Sequence, residues 1–117
     1  MSVNENLKQS WEEIQEKLSH KFADGEKIEV DSIIYLIGVQ ELGKGYKKFK
    51  KDEKIALMHI AVCRILEPYG YYEFNYFDED GWPHYNLVED LPHLKGGEQT
   101  VLLKQAIVNY FTEKDFL

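Results

Sequence analysis

The stretch YYEFNYFDEDGWPHYNL, residues 71–87, decides the fold, because it interrupts a helix-rich sequence with the pattern of β-structure. Within it, the aromatic residues Tyr72, Phe74 and Tyr76 alternate with the polar residues Glu73 and Asn75. Such alternation is typical of a strand with two different faces. Asp80-Gly81 is a strong signal for a two-residue turn. The stretch therefore predicts one β-hairpin, at about residues 71–88.

Folding the hairpin about Asp80-Gly81 predicts which residues face each other. A two-residue turn gives these pairs: Phe77 with His84, Tyr76 with Tyr85, Asn75 with Asn86, and Phe74 with Leu87. A four-residue turn over residues 78–81 preserves the same facing. One face is then predicted to pack on the helices, and consists of Phe74, Tyr76, Tyr85 and Leu87. The opposite face is predicted to point away from them, and carries Tyr71, Phe77, Trp82 and His84.

Two helices are predicted in the first part of the chain. The first is expected near residues 4–23, where apolar residues recur three and four positions apart: Leu7, Trp11, Ile14, Leu18 and Phe22. Residues 32–42 have the β-branched content of a buried strand, but a helix is favoured, because Asp31 is a good N-cap and Gly43 stands at a suitable stop. Gly38 inside this segment indicates the close approach of another backbone.

Two further helices are predicted on either side of the hairpin. The third has Asp52 as its cap and ends before Pro68, and the fourth runs from about 98 to 113, after the breaker Gly96-Gly97. The predicted fold is therefore mostly α (α+β), with four helices and one β-hairpin inserted between the third and fourth. The second and third helices are expected to be the most buried pair, and residues 1–117 to form a single domain.

Charge is unevenly distributed along the chain. The net charge of −7 argues against general nucleic-acid binding, since phosphate contacts need a positive surface. Residues 44–54, the basic segment, carry six lysines against two carboxylates, whereas residues 71–90, the acidic segment, carry six carboxylates and no Lys or Arg. The basic segment is a solvated connector or, with Tyr46 and Phe49 to stack a base, a local anion or RNA contact. The lysines that would bind an anion are Lys47, Lys48, Lys50 and Lys51.

The sequence shows no signal for export or for a membrane. Its first residues have neither a basic nor an apolar leader region, so a cytoplasmic protein is expected. The longest apolar run, residues 33–39, is far shorter than the roughly 20 residues of a membrane helix. With one cysteine, Cys63, the chain cannot form an intrachain disulfide.

Ligand-type side chains recur on the third predicted helix. His59, Cys63 and Glu67 are four residues apart, and His84 or His93 could complete a zinc site. The alternative is a core thiol beside a hydrogen-bonded histidine, which is favoured because no metal-binding motif is present. We therefore predict no metal, no cofactor and no catalytic residue.

These features favour a small non-enzymatic interaction module that binds a protein partner, or a second copy of itself, through the hairpin. The predicted contact residues are Tyr71, Phe77, Trp82 and His84, with Asp78, Glu79 and Asp80 supplying a negative field suited to a basic partner. The competing hypothesis is an enzyme or small-ligand domain with a pocket between hairpin and helices, using His59, Glu67, His84 or His93. A deep pocket would favour the second hypothesis, and a flat hairpin face the first.

Overall fold

The computed structural model describes residues 3–45 and 47–114. Within them lie four α-helices and two strands, in this chain order: α1 (Val3–Phe22), α2 (Val30–Leu42), α3 (Lys51–Leu66), β1 (Tyr72–Phe77), β2 (Pro83–Leu87) and α4 (Gly96–Glu113). A single 3₁₀ turn, Glu67–Tyr69, joins α3 to β1. The two strands follow α3 and precede α4 in the chain, and they pair antiparallel, which confirms the predicted fold class. None of the described helices is long and apolar enough to cross a membrane.

The described residues divide into two compact units, and the boundary falls inside α2, after Ile33. The first unit contains α1, the start of α2 and α4, whereas the second contains the rest of α2, α3 and the hairpin. The organisation of residues 1–117 as one domain stays a prediction.

In the first unit, α1 packs against α4. The predicted apolar stripe supplies the buried residues Trp11, Ile14 and Leu18, while Phe22 at its end is exposed. Burial on α4 falls on residues in its second half: Ala106, Ile107, Val108, Tyr110 and Phe111. The apolar stripe therefore identifies the buried face of α1 correctly, except in the last turn, where Phe22 is exposed.

In the second unit, α2 approaches α3 closely at Gly38. A Cβ on Gly38 would overlap the carbonyl oxygen of Leu57 and lie 2.7 Å from its carbonyl carbon. Only glycine fits this backbone contact, as predicted. Burial is densest on these two helices, where Ile37, Leu57 and Ile65 are almost fully enclosed. This confirms that α2 and α3 form the most buried pair.

The starts of α2 and α3 differ from the prediction. Because α2 begins at Val30, Asp31 lies in its first turn and is not the N-cap. Similarly, α3 begins at Lys51, so Asp52 is not its cap. The Glu53 carboxylate instead accepts the backbone N–H of Lys50 at 2.9 Å. The Lys50 N–H has no acceptor within the helix, and the Glu53 carboxylate supplies one. This bond stabilises a helix that begins at Lys51, before the predicted cap Asp52.

The start of α4 differs for the same reason. Gly96 and Gly97 form its first turn and do not break it. The Glu98 carboxylate accepts the backbone N–H of Lys95 at 3.3 Å. The N-terminal turn is therefore stabilised even though glycine has a low helix propensity.

Candidate functional site: the hairpin

The hairpin turn is organised by the side chain of Asp78. Its Oδ1 accepts the backbone N–H groups of Asp80 and Trp82, each at 3.0 Å. The Gly81 N–H donates to the Asp78 carbonyl, and the Asp78 N–H donates to the Trp82 carbonyl, both at 2.9 Å. Gly81 has a positive φ of 84°. These contacts define a type I turn closed by a left-handed glycine, which is a three-residue loop.

This loop length makes the predicted pairing wrong. Beside the turn, Tyr76 lies opposite His84 and Phe77 opposite Pro83. A three-residue loop shifts the strand register by one residue relative to a two-residue loop. A shift of one residue changes which side chains of β2 share a face with those of β1. A bulge at Asn75 then shifts it again, so the remaining pairs are Tyr72 with Leu87, Glu73 with Asn86, and Phe74 with Tyr85.

The new register regroups the aromatic rings. The Phe74 ring lies 4.9 Å from the Phe77 ring and 5.8 Å from the Tyr85 ring, measured between centroids. Tyr76 instead stacks in parallel on His84 at 4.6 Å. Phe77 therefore shares a face with Phe74, and Tyr76 lies with His84, contrary to the prediction.

The predicted core face is largely exposed. Phe74 is 41% exposed, Tyr76 49% and Leu87 56%, and of the four residues predicted to be core only Tyr85 is half-buried. Phe77, predicted to be exposed, is 61% exposed. We name Phe74, Phe77 and Leu87 the apolar cluster, because alternation about the bulge places them on one face of the hairpin.

Two predicted contact residues have structural roles. Trp82 is half-buried, and its ring meets the buried Phe49 edge-on at 6.5 Å, so the prediction that Trp82 points away from the helices is wrong. Tyr71 is half-buried too, and its carbonyl accepts the N–H of Val88 at 2.9 Å. Since Phe49 lies far from Trp82 in the sequence, no local pattern indicates their contact.

His84 and Asp78 form a pair at the edge of the turn. The His84 Nε2 lies 2.9 Å from the Asp78 Oδ2, and both side chains are partly exposed. The hydrogen bond from His84, followed by the one from the Trp82 N–H, lowers the pKa of the Asp78 carboxyl below its ordinary value. The Asp78 carboxylate is thus bonded within the turn. Glu79 and Asp80, which are also predicted to supply the negative field, are exposed.

The basic segment contacts the hairpin turn through Lys44, whose ammonium donates to the carbonyl oxygen of Asp80. Phe49 is 4% exposed and its ring contacts Tyr35 as well as Trp82, so it cannot stack on a base, contrary to the prediction. Tyr46 lies outside the described residues. The lysines predicted to bind an anion are all exposed, and that role stays a prediction for Lys47, Lys48, Lys50 and Lys51.

A cavity of about 220 Å³ lies between α3 and the turn end of the hairpin. It brings together His59 and His84, two of the four residues predicted to line a pocket, with Asp78 and Tyr85 beside them. Burial, together with the negative charge of nearby carboxylates, raises the pKa of Tyr85 to about 12. The cavity is smaller than the roughly 300–1,000 Å³ of typical ligand sites.

The other two predicted pocket residues lie elsewhere. Neither Glu67 nor His93 lines this cavity. Glu67 has a structural role instead, because its Oε2 accepts the backbone N–H of Phe74 at 2.9 Å.

His59 and Cys63 are neighbours, with 3.5 Å between the histidine Nε2 and the sulfur. Cys63 is fully buried, and burial raises the pKa of its thiol to about 11. A neutral thiol is a poor nucleophile and a poor metal ligand. In residues 3–45 and 47–114, no three His, Cys, Asp or Glu side chains converge as a metal site would require.

The first unit contains a larger cavity, of about 390 Å³, which sequence patterns do not indicate because α1, α4 and the loop after α1 all contribute to it. Trp11 lines it, with the Lys104 ammonium 5.2 Å from the indole centroid. Lys8 and Lys27 are also in the wall, as are Glu12 and Glu29. Charges of both signs favour no single class of ligand.

Comparison of the chain with protein-family models, with curated proteins and with solved structures finds no match.

Proposed function

We propose that this chain is a small, non-enzymatic, cytoplasmic interaction module that binds a protein partner through the hairpin. The observation that carries the proposal is the apolar cluster, whose three side chains stay largely exposed. Exposed apolar groups that share one face are typical of interaction sites, and aromatic side chains often anchor interfaces. The cluster replaces Trp82 and Tyr71 as the centre of the proposed surface.

The charge of the hairpin favours a basic partner. The acidic segment carries six carboxylates without a Lys or Arg. Glu73, Glu79 and Asp80 are exposed on the hairpin, and Glu89 and Asp90 are exposed directly after it. Complementary charge speeds association and excludes partners of the same sign. An interface of aromatic anchors with an acidic rim is therefore proposed.

Quantitative affinity capture from cell extract, using wild type and Phe74→Ser with Phe77→Ser, tests the proposal. Proteins bound specifically by wild type should be lost from the double variant. The matched control is Ile55→Ser, which alters an exposed apolar residue on α3 that is 61% exposed. Binding of the purified partner should then weaken with salt, since rim charges are screened. Equal recovery by wild type and the double variant would remove the hairpin from the proposal.

A second candidate function rests on the small cavity. His59 and His84 both line it, and a few convergent polar groups are typical of sites for small ligands. Ala56 also lines the cavity, so Ala56→Leu should fill it without touching the apolar cluster. A screen of metabolite-sized compounds by thermal shift tests this function. Stabilisation of wild type but not of Ala56→Leu would support it, and no stabilisation by any compound would count against it.

A further inference from the structure

We propose that the outer edge of β2 accepts an extended segment of the partner protein as a third strand, and that this segment alternates apolar with basic residues. The inference rests on the proposed function and specifies its binding mode. Strand addition uses main-chain hydrogen bonds for affinity and alternate side chains for specificity.

The phase of the hairpin ladder determines which main-chain groups point outward. The Val88 N–H donates to the Tyr71 carbonyl at 2.9 Å, so residues 71 and 88 are a hydrogen-bonded pair. In an antiparallel ladder, such pairs alternate with pairs whose main-chain groups point away from each other. Tyr85, opposite Phe74, and Leu87, opposite Tyr72, belong to the second kind.

A contact on β1 supports this phase independently. The Phe74 N–H donates to the Glu67 carboxylate at 2.9 Å, so it points away from β2. Its partner Tyr85 must then point its own N–H and carbonyl away from β1. The β1 edge is therefore occupied at Phe74 by Glu67, whereas the β2 edge presents the main-chain groups of Tyr85 and Leu87.

The β2 edge is open in its second half. Within residues 3–45 and 47–114, no hydrogen bond joins the outward main-chain groups of Tyr85 or Leu87 to another residue. Asn86, Leu87 and Val88 are exposed. Pro83, which has the same phase, lacks an N–H and is buried, so the available edge begins after it.

The side chains around this edge define the pattern of the incoming segment. Residues opposite Tyr85 and Leu87 would extend the face that carries the apolar cluster, and should therefore be apolar. The alternate residues would extend the face that carries Glu73 and Asn86. Glu89 and Asp90 follow the edge, and the acidic segment offers no positive side chain to balance them. Basic residues at the alternate positions complement this charge.

A second copy of the chain fits the edge less well. Antiparallel pairing of two β2 strands would bring two acidic segments together, each with six carboxylates and no Lys or Arg. Like charges facing each other across a ladder are destabilising. The charge thus favours a different protein over self-association.

The probe is a synthetic capped peptide of alternating Val and Lys, followed by fluorescence anisotropy. It should bind wild type in low salt. The matched peptide with Glu in place of Lys should not bind. Two further peptides are N-methylated, one on the Val and one on the Lys residues, so that each lacks the donors of one edge, and the one whose methylated edge faces β2 should lose affinity. Failure of both methylated peptides to lose affinity would show that main-chain pairing is not used.

The protein variants separate the main chain from the side chain. Leu87→Pro removes the outward N–H as well as the leucine side chain, without breaking a hydrogen bond to β1, whereas Leu87→Ala keeps that N–H and shortens the side chain. We expect Leu87→Pro to weaken binding of the Val-Lys peptide by about tenfold or more, and Leu87→Ala to weaken that binding less. Hydrogen exchange on wild type provides a readout without substitution. The Tyr85 and Leu87 amides should exchange freely alone and become protected when the Val-Lys peptide is added.

The failures of the two proposals can be told apart. If the Phe74→Ser and Phe77→Ser protein loses its captured partner while Leu87→Pro binds that partner normally, the proposed function stands and strand addition is overturned. Absence of peptide binding and of amide protection overturns strand addition as well. Concentration-dependent dimerisation that disappears in Leu87→Pro would overturn the choice of a different protein as the occupant.

Discussion

At the residue scale, Gly38 sets the distance between α2 and α3. Gly38→Ala would place a methyl group against the Leu57 carbonyl, where backbone and not a flexible side chain must move. We expect a loss of about 3 kcal/mol in the free energy of unfolding, despite the better helix propensity of Ala. Denaturant unfolding measures it. The control is Gly97→Ala, where a Cβ meets nothing within 4 Å and a gain of about 0.5–1 kcal/mol is expected.

Also at the residue scale, Cys63 is a structural thiol. Because it is fully buried and its pKa is raised to about 11, a thiol reagent at neutral pH should not label the folded protein. Labelling should become rapid in denaturant, and its rate should follow the population of unfolded chains. Rapid labelling of the native protein would show that Cys63 is accessible and would reopen the question of its reactivity.

At the element scale, the hairpin turn depends on an ionised carboxyl. The pKa of Asp78 is lowered, so its contribution to stability is complete above the unfolded pKa of about 3.9 and is lost as pH falls through the lower folded value. Acid should therefore increase exchange of the Trp82 and Asp80 amides before the helices unfold. Asp78→Asn should remove this step, and Glu79→Gln, at an exposed neighbour, should retain it. Identical acid profiles for wild type and Asp78→Asn would contradict this role.

At the scale of the whole molecule, charge distribution should govern association more than net charge. Glu79→Gln with Asp80→Asn should slow binding of a basic partner several-fold at low salt, and the difference should shrink as salt rises. Glu12→Gln with Glu13→Gln removes the same charge from exposed positions on α1, in the unit that lacks the hairpin. Stopped-flow association rates provide the measurement. Equal slowing by both pairs would indicate a net-charge effect.

The sequence predicts the elements well and the hairpin contacts poorly. Periodicity is local, so the stripe of α1 and the alternation around Phe74 are visible directly. Register depends on whether Asp78 caps a three-residue loop and on a bulge at Asn75, and a single-residue difference reverses a strand face. The contact between Trp82 and Phe49 joins distant parts of the chain and leaves no local signature. The position of the hairpin is therefore predictable from local sequence, whereas the face on which each of its aromatic residues lies is not.

The bond from Glu67 to Phe74 has a consequence for assembly. A sheet that is open on both sides can polymerise, since each added strand creates the next template. Because the Glu67 carboxylate holds the Phe74 N–H, the β1 edge lacks one of the donors that a second added strand would use. Glu67→Ala would release that N–H, so strands could add on both edges of the hairpin more readily, which would appear as increased light scattering when the peptide is added.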